Sequence, residues 1–217
     1  GKPVIVGRER GVIVAASYEA KALGISRGVS IAEAKKICPS IAMVRGDYEA
    51  YSLFSKRMFS IMRRFGSTVE EYGIDEGFLD LTGLASVNNM EYSDIAKQLK
   101  KEIERELGIT VSVGLAQTKV LAKIASKMNK PSGCTTISAQ TRTQVLSTLD
   151  IESVWGIGFH TAYYLRRQGI RTAEAFVNKP WNWVKEHCAK PHQEVWHELQ
   201  GLPVYPALCE TRARASR

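Results

Sequence analysis

Long apolar runs are missing from this chain. No stretch of its 217 residues approaches the ~20 consecutive apolar positions that a membrane-crossing helix needs, so no membrane partner is expected. Nothing at its start reads as a signal peptide. Cysteine is scarce: Cys38, Cys134, Cys188 and Cys209 are scattered, with no Cys-x-x-Cys pair. Four thiols would allow two disulfides, but in a sequence without secretory features reduced thiols and a cytoplasmic location are the expectation. His187, Cys188, His192, His197 and Cys209 fall within a short span, yet their spacing matches no standard zinc pattern. Acidic residues are the minority charge. There are 22 Asp plus Glu against 30 Lys plus Arg, a formal net charge of +8. That balance favours a polyanionic partner, nucleic acid being the commonest, although it also serves simple solubility.

With 44% apolar residues the chain has material for a folded core, and its length suits one large domain or two small ones. It opens directly into a strand-like Pro3-Val4-Ile5-Val6 and closes in a basic tail over 210–217. Both ends read as cut from something longer.

The chemistry concentrates in one stretch, Glu70-Glu71-Tyr72-Gly73-Ile74-Asp75-Glu76-Gly77-Phe78-Leu79-Asp80-Leu81-Thr82. Apolar residues lead into two adjacent carboxylates, Gly77 follows, and an alternating run comes next. This predicts a β-hairpin with Asp75 and Glu76 at its tip, the glycine permitting the tight backbone of a turn. Adjacent carboxylates repel, and burial would penalise them further. A divalent cation removes that penalty, and Mg²⁺ is typically held by one or two carboxylates with substrate phosphates filling its remaining positions. A solvated acidic turn is the commoner use of such a pair. The rest of the chain decides between them.

Residues 3–6 and 11–16 read as a hairpin across Gly7-Arg8-Glu9-Arg10-Gly11, and Tyr18 to Gly24 as a short helix. Ser30 is placed to cap a second helix with Ile31, Ala34 and Ile37 on one face, before a short strand over 41–44. A long helix follows from Tyr48 to Phe65, with Tyr51, Phe54, Met58, Ile61, Met62 and Phe65 recurring as a core stripe. After the acidic hairpin, Ser93 is expected to cap a helix carrying Ile95, Leu99, Ile103 and Leu107 and ended by Gly108. A strand over 110–115 and a helix from Lys119 to Met128 complete the series. Helix, hairpin, helix, strand becomes the ferredoxin-like split βαβ arrangement once one strand is added in front. That strand would lie beside the hairpin and could bring a third carboxylate.

From about residue 140 short helices take over. Val154-Trp155-Gly156-Ile157-Gly158 opens a helix through a Gly-x-Gly turn, and Tyr164-Leu165-Arg166-Arg167-Gln168-Gly169-Ile170 follows. Backbone N–H groups at such a helix start form an anion site that holds a DNA phosphate without reading bases. The segment resembles a helix-hairpin-helix module, with Arg166, Arg167 and Arg171 adding charge, though a plain helix-helix turn gives the same pattern.

Four motifs in order carry a wider resemblance: Ala15-Ala16-Ser17-Tyr18-Glu19-Ala20-Lys21-Ala22-Leu23-Gly24-Ile25, Tyr72 to Thr82, Ser112 to Gly133, and Gly156-Ile157-Gly158. Over nearly its whole length the chain resembles the Y-family translesion DNA polymerases of the DNA polymerase IV type. The resemblance implies an α+β protein: small α/β fingers over 1–47, a ferredoxin-like palm over 48–137, an all-α thumb with a helix-hairpin-helix over 138–209, and a basic linker over 210–217. It implies low-fidelity, DNA-templated nucleotidyl transfer to a primer 3′-hydroxyl by a two-metal mechanism, with two Mg²⁺ ions, primer–template DNA and a deoxynucleoside triphosphate as partners. Asp75 and Glu76 match the catalytic metal-binding pair. Tyr18 and Lys21 match the fingers residues that hold the triphosphate, and Lys130 the palm lysine that reaches the same phosphates.

Physical chemistry supports those roles. A triphosphate carries about four negative charges, so cations and a hydroxyl donor orient it. Two metals stabilise the attacking and leaving oxygens of an in-line displacement. Lys119 and Lys123, four residues apart on one helix face, are placed to approach DNA or phosphates, as are Gly156, Gly158 and Arg166 in the thumb. Asp80 is expected to play a structural part.

The departures from the family pattern are small: Lys21 where many members have Arg, Ala15 where some have Thr, and Gly73 where Ser is usual. Lys21 forgoes bidentate phosphate contact. The family's first metal-binding Asp with its steric-gate aromatic would precede Gly1, and its little finger would follow the tail. The resemblance therefore implies a fragment with little or no polymerase activity by itself, any sliding-clamp contact lying in parts outside it. Two alternatives remain at this level. One is a non-catalytic DNA-binding module, marked by salt-sensitive binding without nucleotide dependence. The other is a nucleotide-cyclase palm, against which the thumb-like segment and Lys130-Pro131-Ser132-Gly133 argue.

Overall fold

The computed structural model describes residues 1–7 and 11–206, without the side chains of 87 and 88. Residues 8–10, between the two strands expected as a hairpin, and residues 207–217, with Cys209 and the basic tail, lie outside the described residues. The chain divides into two compact units, Gly1–Leu53 and Phe54–Arg217.

In the first unit, strand β1 (Val4–Val6) pairs antiparallel with β2 (Ala15–Ala16) and is the centre of a three-stranded sheet. Helix α1 (Tyr18–Ala22) starts at Ser17, whose hydroxyl accepts the Ala20 N–H at 3.3 Å. Helix α2 (Ile31–Ile37) starts at Ser30, which accepts from Glu33 at 3.1 Å. Each cap satisfies an amide that the first turn leaves without a partner. Strand β3 (Ala42–Val44) runs parallel to β1. Ile5, Ile13, Ala20, Ile25, Ile31, Ala34 and Ile41 form the core. Ile37, expected on the buried face, is exposed in the last turn of α2.

Helix α3 (Tyr48–Phe65) buries Met58, Phe59, Ile61 and Met62, but Tyr51 and Phe54 from the expected stripe are exposed. Periodicity chooses a helix face; it does not say how far along the helix a neighbour covers it. Strands β4 (Val69–Glu71) and β5 (Gly77–Leu79) form the expected antiparallel hairpin. Helix α4 (Leu84–Asn88) is a single short turn ahead of α5 (Tyr92–Leu107). Helix α5 starts at Glu91 rather than at Ser93, its first residue being held by the Tyr92 hydroxyl, which accepts the Gly83 N–H at 3.2 Å. Its Leu99 and Ile103 pack with α3 and the hairpin in one core, and Ile95 is buried as well. Across α3 and α5, Arg64 grips Glu106 with two hydrogen bonds of 2.8 and 2.6 Å, which hold that carboxyl down at about 2.

Strand β6 (Val113–Ala116), helix α6 (Lys119–Met128) and strand β7 (Cys134–Ile137) make a parallel β-α-β unit. Strand β7 had no place in the expected order, being four residues directly after a proline–glycine turn. The two-stranded pairs β4–β5 and β6–β7 are separate sheets. A split βαβ layout needs one strand between β5 and β6, and no described residue forms it.

The remainder is helical: α7 (Ala139–Thr148), a 3₁₀ turn (Ile151–Ser153), α8 (Phe159–Arg167), α9 (Ala173–Val177), α10 (Trp181–His187) and α11 (Lys190–Leu199). One core, including Leu121, Ile124, Leu146, Leu165, Phe176 and Leu199, joins these helices to α6. No helix among the described residues is long and apolar enough to cross a membrane.

Candidate active site

The acidic pair is presented by the β4–β5 loop. Glu71 pairs with Gly77 in register, leaving Tyr72 to Glu76 as a five-residue connection closed by the Gly73 N–H donating to the Glu76 carbonyl at 2.9 Å. Gly77 sits in the strand rather than in the turn. A Cβ there would stand 2.5 Å from the Phe59 ring and 2.7 Å from the Glu70 carbonyl, so the residue is needed for close packing and not for its backbone angles. Asp75 is exposed and Glu76 half-buried. Asp80 accepts the Thr82 N–H at 2.8 Å, and hydrogen bonding from Thr82 holds its carboxyl below the ordinary range. It stabilises the turn after β5.

Helix α6 faces this hairpin with two lysines. Lys123 is hydrogen-bonded to the Glu76 carboxylate, and Lys119, one turn earlier, to Glu70. Lys119 also donates to the Pro206 carbonyl and lies 5.4 Å from the centre of the Phe78 ring. Burial, and then the like charges of Lys127 and Lys130, pull the Lys123 ammonium below its ordinary value, while Asp75 pulls it the other way. Asp75, Glu76, Lys123, Lys127 and Lys130 thus share one electrostatic neighbourhood. Lys130 is exposed just past the end of α6.

Helix α6 can face the hairpin because β6 lets it come close. A Cβ on Gly114 would collide with the Ala122 carbonyl and the Ser126 amide. The start of α6 is fixed by Thr118, which accepts the Leu121 N–H at 3.4 Å and donates to the Glu198 carbonyl at 2.8 Å. Glu198 itself is fully buried. Its carboxylate accepts N–H bonds from Val120 at 3.1 Å, Val204 at 2.7 Å and Tyr205 at 3.0 Å, tying α11 and the segment after it to the start of α6. Sequence reasoning missed this residue. Val195 and Leu199 mark its helix face as buried, but the amides that satisfy it lie 6, 7 and 78 residues away.

Beside the hairpin, Trp155 makes ring contacts with Tyr72 at 5.2 Å, Phe78 at 5.6 Å and Tyr205 at 6.1 Å. Trp155, Tyr72 and Tyr205, with Glu70, Lys119 and Gly156, border a cleft of about 380 Å³. Gly156 adopts φ 92°, the left-handed region, directly before the turn into α8. Gly158 is the residue ahead of α8, and no side chain caps that helix start. What precedes the turn is a single 3₁₀ turn rather than a second full helix. Arg166 is engaged by Asp150 at 2.7 Å and Glu152 at 2.9 Å, which raise its affinity for its proton.

In the first unit Tyr18 and Lys21 come together on the exposed side of α1, the Lys21 ammonium 4.8 Å from the centre of the Tyr18 ring. The cysteine and histidine residues of the last helices go to packing. Cys188 is buried, His187 stacks on Trp183 at 4.5 Å, and His192 shares a hydrogen bond with Thr161 at 3.3 Å. Among the described residues no group of three His, Cys, Asp or Glu side chains is arranged for a metal ion, and Cys38, Cys134 and Cys188 are free thiols. The donor set at the hairpin is two hard carboxylates with lysines around them. That set fits Mg²⁺ completed by phosphate oxygens and water, and does not fit zinc.

Residues 1–127 match the model of the impB/mucB/samB family. The chain is 36% identical over 217 residues to the DNA polymerase IV of Dehalococcoides mccartyi strain 195, covering 99% of this chain and 55% of that protein. It is 38% identical over 180 residues to the DNA polymerase IV of Treponema denticola, covering 82% of this chain and 45% of the relative. The chain therefore spans about half the length of the curated relatives it matches. Among solved structures it is similar to DinB from Sulfolobus solfataricus, with 31% identity, a TM-score of 0.77, and 92% of this chain and 60% of the other covered. It is also similar to an insertion ternary complex of Dbh DNA polymerase, with 32% identity, a TM-score of 0.79, and coverage of 92% and 60%.

Proposed function

The chain belongs to the impB/mucB/samB family, and from that premise we propose that it supplies the fingers (1–47), palm (48–137) and thumb (138–209) of a low-fidelity DNA-templated DNA polymerase acting in translesion synthesis and repair in the cytoplasm. The palm is read as ferredoxin-like and the thumb as gripping DNA through the helix-hairpin-helix turn at Gly156–Gly158. The observation that carries the reading is the Asp75–Glu76 pair at the end of a hairpin, with Lys123 bonded to Glu76 and standing in the field of Lys127 and Lys130. Clustered acid beside clustered base suits a bound metal–triphosphate, which needs both. The relatives' names and the insertion ternary complex of Dbh DNA polymerase support the same assignment.

Asp75 and Glu76 would hold two Mg²⁺ ions. When bound, the ions supply charge neutralisation at the attacking and leaving oxygens. Lys130 would meet the outer phosphates of a nucleotide as a point charge, and Tyr18 and Lys21 are read as triphosphate-holding residues of the fingers. The uncapped amides at the start of α8 would accept a backbone phosphate of primer–template DNA. Lys119, Lys123 and Arg166, assigned to DNA by sequence, carry carboxylate partners of their own. Their part is to set the hairpin and the turn in place unless those pairs open.

The test is Mg²⁺-dependent primer extension in a version carried to the full length of its relatives. Asp75→Ala and Glu76→Ala should each abolish extension while leaving the far-UV circular dichroism unchanged. Extension by either variant at the parent rate sinks the assignment. DNA binding that is salt-sensitive but indifferent to deoxynucleotide, with no extension by the parent, would leave a non-catalytic DNA-binding module.

A further inference from the structure

Helix α6 meets the acidic hairpin through two rungs set one helical turn apart. The first, Lys119 to Glu70, is braced by the Pro206 carbonyl and the Phe78 ring. The second, Lys123 to Glu76, lies in the field of two further cations, Lys127 and Lys130. The carboxylate that Lys123 grips is one of the pair assigned to metal. An ammonium in hydrogen-bonded contact with that carboxylate cancels its charge and repels a dication from the same oxygens. The two cations therefore compete for one group.

We propose that Lys123 is an exchangeable counter-ion that gates metal entry at the acidic pair. It holds Glu76 until a divalent ion takes its place, and the released ammonium then joins Lys127 and Lys130 in facing phosphate. The braced Lys119–Glu70 rung keeps α6 docked on the hairpin while the second rung opens. The proposal rests on the metal reading of Asp75 and Glu76 given above. A ligand binds more weakly, in proportion, to a protein whose binding-competent state is only a minor fraction of the population. If the rung is closed in about nine molecules in ten, removing it tightens metal binding about tenfold.

The probe is Mn²⁺ alone, titrated into this chain with the free ion read by electron paramagnetic resonance, so that no turnover is needed. Lys123→Gln should bind Mn²⁺ about tenfold more tightly than the parent, and Lys123→Arg should match the parent. Lys127→Gln removes the same charge without the same partner and should gain less than about threefold. Lys123→Met, which keeps the aliphatic stem, serves if the glutamine variant does not fold. Asp75→Asn locates the ion. If it abolishes binding and Lys123→Gln binds no more tightly than the parent, the gate falls and the metal reading stands. If Asp75→Asn leaves binding unchanged, or no variant binds Mn²⁺, both fall. An equal gain from Lys127→Gln and Lys123→Gln reduces the effect to net charge and also overturns the gate.

Discussion

Glu198 shows how much one side chain organises. It is a fully buried acid whose partners are backbone amides rather than a cation. A carboxylate accepting several N–H bonds is stabilised where it sits, whereas each amide left without an acceptor costs its own desolvation. Glu198→Ala would orphan the Val120, Val204 and Tyr205 amides together. We expect a loss of about 3 kcal/mol or more in urea unfolding, well above the median single substitution. Glu198→Gln should fall between, since one of its terminal atoms would present hydrogens to an N–H donor. A loss under about 1 kcal/mol for the alanine variant would mean that the clasp does not exist in solution. Nothing in the local sequence marks this residue out, because its function is to meet amides brought near only by folding. Asp75 and Glu76 are the opposite case. Their adjacency is in the chain itself, so the sequence shows them as a pair whatever the fold does around them.

Helices and strands here were mostly readable from periodicity and caps. Ser30 caps the helix that it was expected to cap, Ser93 does not, and the hairpin forms where glycine follows the acidic pair. Short elements escaped. Strand β7 has too few residues for alternation to declare itself, and the parallel partner that makes it a strand is 21 residues upstream in register. The placement of α6 depends on Gly114, and here the prediction is sharp. Gly114→Ala pushes a methyl group into backbone atoms of Ala122 and Ser126, which cannot rotate aside. Overpacking of this kind costs about 1–3 kcal/mol, and it would also move Lys119 and Lys123 off the hairpin. Chemical denaturation should show the loss, and the Mn²⁺ affinity of the acidic pair should change with it. Unchanged stability would mean that α6 lies farther from β6 than described.

At the scale of the whole chain the net charge of +8 bears on the proposed contact with DNA. Phosphate contacts release counterions, so affinity for duplex DNA should fall steeply with salt, with a log–log slope of about −3 or steeper. Fluorescence anisotropy with a labelled primer–template between about 50 and 200 mM salt tests this. A flat dependence would argue that the basic residues are spent internally, as Arg166 is on Asp150 and Glu152.

The sequence by itself determined the chemistry available: an acidic pair on a hairpin, lysines at helical spacing, a glycine turn before an arginine-bearing helix, and the family to which these belong. Such features are local, and their order along the chain is their meaning. Only the tertiary structure decided which lysine meets which carboxylate, that β6 and β7 lie parallel with α6 packed across them, and that Glu198 is buried to bind three amides. Those outcomes rest on contacts between residues far apart in sequence, where close packing and the need to satisfy every buried polar group choose one arrangement among many.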